Sequence, residues 1–224
     1  VRRIGHSVRV VEPRTHWDDV YSSRAPEELS WYESLPAVSL RFVETLRPAP
    51  ATVVDVGAGT SHLVDALLSD GYEDVTVLDV SATALDEVRK RLGDRATTVR
   101  FVEQDVLSWH PGRVFDVWHD RAVFHFQVAP RERAQYVRVA SECLAEDGVA
   151  VLATFAEDGP EQCSGLPVAR YSAASLAATF PSLSLVAAER VEHRTPSGLV
   201  QPFTYVALRR ATSDAMKERG LRSS

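Results

Sequence analysis

A doubly wound α/β fold, built on a mostly parallel seven-stranded sheet with an antiparallel hairpin at its C-terminal end, is what this sequence predicts. Three observations carry the prediction. Short β-rich runs alternate with helical stretches through the middle of the chain. A pair of glycines stands where the first run turns into a helix. The last two β-rich runs follow one another with only TPSG and its neighbours between them, too little chain for a helix.

The β-rich runs are TVVDVG (52–57), DVTVLDV (74–80), TTVRFVEQDV (97–106), VFDVWHD (114–120) and VAVLATF (149–155), then LSLVAAERVEH (183–193) and QPFTYVALRR (201–210). Helical spacing separates them. Leu35, Val38, Phe42 and Leu46 form one stripe that Pro48 ends. Leu63 with Leu67 and Val64 with Leu68 mark a second helix, closed by Gly71. Leu85, Val88 and Leu92 form a third stripe before Gly93. Pro130 opens a fourth helix at its first turn, Val137, Ala140 and Leu144 carry its stripe, and Gly148 sits past its end. SAASLAATF (172–180) reads as a short fifth helix before Pro181. Strands alternating with helices imply a parallel sheet covered on both faces, while the last two runs pair as a hairpin at the sheet edge. Residues 1–15 read as an N-terminal arm, 16–210 as the domain and 211–224 as a polar tail.

With 224 residues, 45% hydrophobic and 25% charged, the chain supports one good-sized core. A formal net charge of −6 gives no electrostatic footprint for a polyphosphate, so nucleic acid is not the expected substrate. Arg131 and Arg133 read as a solvated helix face. No apolar run reaches the ~18 residues of a membrane span. VRRIGHSVRV at the N-terminus lacks the apolar core of a secretory signal. The two cysteines, Cys143 and Cys163, have no metal-ligand spacing, and a reduced, cytoplasmic setting is expected.

The most specific stretch is VVDVGAGTSHL (53–63). Gly57, Ala58 and Gly59 form the turn from strand to helix, where the chain bends sharply and a ligand approaches the backbone. Asp55 stands two residues before the first glycine, where dinucleotide-binding strands usually carry an apolar residue because an anionic pyrophosphate follows. A carboxylate there suits a sulfonium and an ammonium instead, which favours S-adenosyl-L-methionine over NAD. The full glycine pattern of either class is not met, since Ser61 and His62 stand where the third glycine would fall. The rest of the constellation supports the cofactor. Twenty residues after Gly59 the second run ends in Asp79, placed to accept two ribose hydroxyls, with Val80 beside it. After the third run Asp105 is placed to accept from an adenine amino group and Val106 offers its backbone. Asp120 lies in WHDRAVFHF (118–126), at the carboxyl edge where ligands of open α/β sheets bind.

Over roughly residues 16–210 the chain resembles the type 11/12 branch of class I S-adenosylmethionine-dependent methyltransferases. The resemblance implies a Rossmann-like fold and methyl transfer from that cofactor. HWDDVY (16–21) and SWYE (30–33) resemble the opening segment of elongation-factor-type lysine methyltransferases. That resemblance implies that Trp17, Tyr21 and Trp31 help to hold the cofactor. An aromatic face attracts a sulfonium and excludes water; the alternative role for these rings is to pack the N-terminal helix onto the domain. The segment is expected to close when cofactor binds.

Methyl transfer is an in-line displacement with a neutral leaving sulfide, so alignment and exclusion of water do most of the work. His119 and His125 are the candidates for a general base, with packed or cofactor-contacting histidines as the alternative. His-x5-His with Asp120 lacks a third convergent ligand, so no metal is expected. The Gly- and Pro-containing segment 157–171 suits a substrate lid, with Cys163, Arg170 and Tyr171 in it and His193 and Arg194 approaching from the hairpin. A small-molecule acceptor of unspecified identity is the leading expectation. A protein-lysine methyltransferase and a non-catalytic adenosylmethionine-binding module are the alternatives.

Overall fold

Period-two alternation along the strands sorts the buried residues to two faces of one sheet. In this computed structural model, which describes residues 12–210, the strands are β1 (Thr52–Val56), β2 (Asp74–Asp79), β3 (Val99–Glu103), β4 (Phe115–Arg121) and β5 (Leu144–Phe155). Two-residue strands β6 (Gln162–Cys163) and β7 (Leu166–Pro167) follow, then β8 (Leu183–Arg194) and β9 (Val200–Arg210). The helices are α1 (Pro13–Ser23), α2 (Ala37–Leu46), α3 (Leu63–Ser69), α4 (Ala82–Leu92), α5 (Pro130–Cys143) and α6 (Ala173–Ala178). The sheet order is β3-β2-β1-β4-β5-β9-β8. Strands β1 to β5 are parallel to their neighbours, and β9 pairs antiparallel with both β5 and β8. This is the expected Rossmann-like layout with its terminal hairpin.

Val53, Val75, Val77, Val117 and Val151 point to the face covered by α2, α3 and α4. Val54, Leu78, Trp118, Leu152 and Val206 point to the face covered by α5 and α6. Each such side chain, fully buried, stabilises the fold by about 1.5–3 kcal/mol. Strands covered on both faces need apolar residues at successive positions, which is why these runs are nearly continuous in valine and leucine.

Three details depart from the sequence reading. Helix α1 opens at Pro13, inside the stretch assigned to the N-terminal arm; residues 1–11 and the tail 211–224 lie outside the described residues. Strand β3 is shorter than 97–106, because 3-10 turns cover Gly93–Thr98 and Val106–Ser108, the latter capped by Asp105. Strand β5 starts five residues early: α5 passes into it at Leu144 without a loop, and Asp147, with φ of 60°, reverses the chain before Gly148. No helix among the described residues is long and apolar enough to cross a membrane.

Asp120 is buried on the α5 side of β4 and is fully paired. It accepts from the backbone N–H groups of Val123 and Phe124, each at 2.9 Å, and from the Tyr136 hydroxyl. Tyr136 in turn accepts from Trp118 Nε1 at 3.0 Å. Removing the hydroxyl with Tyr136→Phe leaves a buried carboxylate and a buried indole N–H each one partner short. The expected cost is about 1–3 kcal/mol, seen in urea unfolding as a lower midpoint with an unchanged slope. A midpoint equal to that of the wild type would contradict this account.

Candidate active site

The site begins at the glycine turn. Gly57 has φ of 59°, and a Cβ on it would lie 2.0 Å from Val123 Cγ2, so only glycine fits between β1 and the loop after β4. Ala122, with φ of 72°, turns the chain sharply out of β4 and delivers Val123 to that spot. The carboxyl ends of β1, β2 and β4 thereby border a cavity of about 410 Å³, within the range of small-molecule sites.

Asp55 and His119 are register partners across β1 and β4, so alternation puts both side chains on the same face. His119 Nδ1 lies 2.7 Å from Asp55 Oδ1, and His119 Nε2 lies 2.8 Å from the Ser39 hydroxyl on α2. All three are buried. With Nδ1–H donated to the carboxylate, Nε2 accepts from Ser39, and the ring has no lone pair left for a substrate proton. Asp55 Oδ2 is buried without a hydrogen-bond partner. A buried carboxylate oxygen at a cavity wall is costly to leave unpaired, and a cationic ligand group answers it directly.

Asp79 lines the same cavity. It accepts from Gly59 N–H at 2.7 Å and Ser81 N–H at 2.8 Å. Burial, only partly offset by those bonds, pushes its pKa up to about 6, and the neighbouring Asp55 adds to the rise. Ala58, Val80, Asp105 and Val106 also line the cavity. Gly59 does not. Its contribution is the N–H on Asp79 and the absence of a Cβ, which would stand 2.2 Å from the Tyr21 hydroxyl.

The outer wall is aromatic. Trp17 packs on Tyr21, Trp31 and Phe126 at centroid distances of 6.1, 5.9 and 5.3 Å, and all four rings line the cavity. Polar straps hold α1 in place: the Ser81 hydroxyl donates to Asp18 at 2.6 Å, and Arg14 pairs with Glu103 at 2.6 Å. Segment 157–171 is not a free loop. Ser164 and Gly165, at φ of 49° and 76°, turn the small hairpin β6–β7, which brings Cys163, Leu166 and Pro167 to the wall. Burial pushes the Cys163 thiol up to about 11, so it stays protonated.

Several candidate residues are not brought to the cavity. His125 is buried against Phe126 and Phe155, neither ring nitrogen has a hydrogen-bond partner, and burial with the nearby Arg121 charge lowers its pKa to about 3. A base role there lacks both access and basicity. Asp120 faces away, because alternation sends it to the side opposite His119 and Arg121. Arg170 is tied to the Gly159 carbonyl and to Glu161 within its own loop, and Tyr171 packs on Phe124 in the core. His193 bonds to the Ser30 carbonyl at 2.7 Å rather than reaching the cavity, and Arg194 borders a separate open cleft. Among the described residues no group of three or more His, Cys, Asp or Glu is placed to hold a metal ion.

Among the polar residues of the cavity that escaped the sequence reading are Ser39, Glu33 and Arg121. Arg121 had a signal, since it lies two residues beyond His119 on one strand and shares its face. Ser39 and Glu33 had none, because only tertiary packing brings their segments to the sheet edge.

Comparison with known proteins agrees with this geometry. Residues 53–148 match the family model described as a methyltransferase domain. The chain is 23% identical over 134 residues to the eEF1A lysine and N-terminal methyltransferase of Mus musculus, covering 59% of this chain and 19% of that protein. It is 33% identical over 94 residues to thiocyanate methyltransferase 1 of Arabidopsis thaliana, covering 41% of this chain and 40% of that protein. The chain thus spans well under half the length of these relatives. A solved structure concerned with conversion of a disulfide bond into a thioacetal group during echinomycin biosynthesis superposes with a TM-score of 0.71 at 21% identity, covering 95% of this chain and 99% of that one. The Burkholderia thailandensis 1,6-didemethyltoxoflavin-N1-methyltransferase, with bound 1,6-didemethyltoxoflavin and S-adenosylhomocysteine, superposes with a TM-score of 0.65 at 20% identity, covering 88% and 84%. Residues 53–148 thus match a methyltransferase domain, and the sheet around them has the Rossmann-like order that the superposed structures share in fold.

Proposed function

We propose that this protein moves a methyl group from S-adenosylmethionine to a small-molecule acceptor. The observation that carries the reading is the enclosed cavity itself. Its floor holds the unpaired Asp55 oxygen and the Asp79 carboxylate, and its outer wall is closed by aromatic rings and the β6–β7 hairpin. The residues fit the cofactor: Asp55 answers an ammonium, Asp79 a ribose diol, and Trp17, Tyr21 and Trp31 offer ring faces to a sulfonium. Asp105 and Val106 border the place an adenine would take.

Bound there, the cofactor would supply an electrophilic methyl carbon for in-line displacement by the acceptor's lone pair, with a neutral sulfide as the leaving group and any proton of the nucleophile lost to solvent. This chain's residues orient the two partners and exclude water. His119 is a positioning residue: it holds Asp55 in place and is itself held by Ser39. A protein-lysine acceptor is the second reading, favoured by the name of the relative that covers 59% of this chain.

Three outcomes test this. S-adenosylhomocysteine should bind by calorimetry, with affinity falling below pH 6. The ligand hydroxyls need the ionised Asp79, and with a pKa of about 6 the ionised fraction drops roughly tenfold between pH 7 and pH 5. Asp79→Asn should bind weakly at both pH values, and an unchanged pH slope in that variant would rule Asp79 out as the source. His119→Gln should weaken S-adenosylhomocysteine binding by roughly tenfold, the worth of one hydrogen bond to a charged group, and leave the pH profile of kcat alone. Loss of an ionisation from kcat with unchanged affinity would make His119 a base instead. Incubation with methyl-labelled cofactor and a cell extract should label small-molecule fractions; a labelled protein band would replace the leading reading by the lysine one.

A further inference from the structure

Apart from Glu132 at the start of α5, the charged side chains that line the cavity without a part in the cofactor contacts are Arg121 at the end of β4 and Glu33 before α2, an ion pair. Arg121 is 11% exposed and held on three sides. Its guanidinium lies 4.8 Å from the centre of the Phe203 ring, Nε donates to the Tyr205 hydroxyl at 3.1 Å, and Nη1 donates to the Trp31 carbonyl at 3.0 Å. Nη2 is buried and has no hydrogen-bond partner, although Glu33 Oε1 stands 3.3 Å away as an ion-pair partner. Glu33 Oε1 is shared with His193 Nδ1 at 3.4 Å. Burial works against the Glu33 charge, but His193 and Arg121 more than offset it and hold its pKa below the ordinary value.

A purely structural pair would serve to strap residues 30–33 to the sheet. That strap exists, and it uses Arg121 Nη1 on Trp31 and His193 Nε2 on Ser30. It leaves the Arg121 Nη2 donor without a hydrogen bond next to the Glu33 carboxylate, on two residues that both line the cavity. A buried donor without a partner carries a desolvation cost of about 1–3 kcal/mol, which a ligand oxygen removes. Because the pair is net neutral, an anionic ligand meets the Glu33 carboxylate as it meets Arg121, and a cationic one meets the reverse conflict. What fits without conflict is a ligand edge with an oxygen acceptor next to an N–H donor. The ring-lined wall, with Trp31, Tyr32 and Phe126, adds a preference for a flat molecule.

We propose that Arg121 and Glu33 select the methyl acceptor, and that it is a planar heterocycle with a lactam edge. Its carbonyl oxygen takes the Arg121 Nη2 hydrogen and its ring N–H donates to Glu33. The inference rests on the methyltransferase reading of the same cavity.

The experiment is calorimetric titration of the full chain, saturated with S-adenosylhomocysteine, with 2-quinolone, N-methyl-2-quinolone and quinoline-2-carboxylate. The first carries the lactam edge, the second lacks the donor and the third is an anion. The expected order is 2-quinolone at least tenfold tighter than the other two. Glu33→Gln should lose about tenfold for 2-quinolone while S-adenosylhomocysteine affinity moves less than twofold. Arg121→Lys should lose at least as much, because an ammonium does not reproduce the planar fork. Equal binding of 2-quinolone and its N-methyl derivative, tightest binding of the carboxylate, or binding of none overturns the proposal. So does an equal loss of both ligands in Glu33→Gln, which marks a structural pair. Failure of wild-type protein to bind S-adenosylhomocysteine at the outset is a different result and removes the methyltransferase reading itself.

Discussion

The hydrogen bond between Asp55 and His119 is the contact on which the cavity depends. It exists because β1 and β4 are parallel neighbours in a fixed register, and a one-residue slip would send both side chains to the opposite face. A buried carboxylate is held in place by one imidazole, while its second oxygen, buried at the cavity wall, has no hydrogen-bond partner. That arrangement gives the protein a preformed negative point in a dry place. Reorganising water or side chains at the moment of binding is then unnecessary, which is the physical advantage of preorganisation. Ser39 completes it by occupying the far nitrogen of the ring, so the histidine can neither rotate nor act freely as an acid or base.

The aromatic wall is held differently from the floor. The floor belongs to the sheet, where each strand is covered on both faces. Helix α1 has no buried residue of its own, and it is attached by the Asp18–Ser81 and Arg14–Glu103 contacts and by ring packing around Trp17. Exposed ion pairs of this kind contribute little, so the segment lies at the low end of the stability range within the structure. An element that must admit a ligand and then exclude water has to be drawn from that end. The sequence pattern fits the same logic: three large rings fall within fifteen residues, two on a helix too polar to be held by the core alone and the third, Trp31, in the segment that follows it.

How much of this was legible in the sequence follows from where each signal lives. The fold was legible because alternation of strand and helix is local, and so were Asp55, Gly57 and Asp79, which sit at strand ends that the turns announce. His125 and Asp120 belong to the segment at the carboxyl edge of β4, yet neither reaches the cavity. A strand sends successive residues to opposite faces, and the turn after it buries His125 against Phe126 and Phe155. Applying period two to β4 separates Asp120 from His119 and brings Arg121 into the site. Arg170 and Tyr171 stay away from the cavity because a two-residue turn at Ser164–Gly165 folds the segment into a hairpin whose strands, through Cys163, Leu166 and Pro167, meet it instead. Ser39 and Glu33 belong to segments far from the sheet in sequence, and no local pattern marks them.

The polar residues along the cavity form two sets that meet on β4, which carries both His119 and Arg121. Asp55 bonds to His119, and His119 to Ser39. Tyr205 accepts from Arg121, which pairs with Glu33, which meets His193. Groups in such a network are fixed relative to one another more tightly than pairwise contacts would achieve. Methyl transfer rewards that rigidity directly, since the nucleophile must approach along the line of the breaking bond and small displacements are costly. Both sets are anchored on β4, where His119 and Arg121 stand two residues apart on one face, so the sheet fixes their spacing.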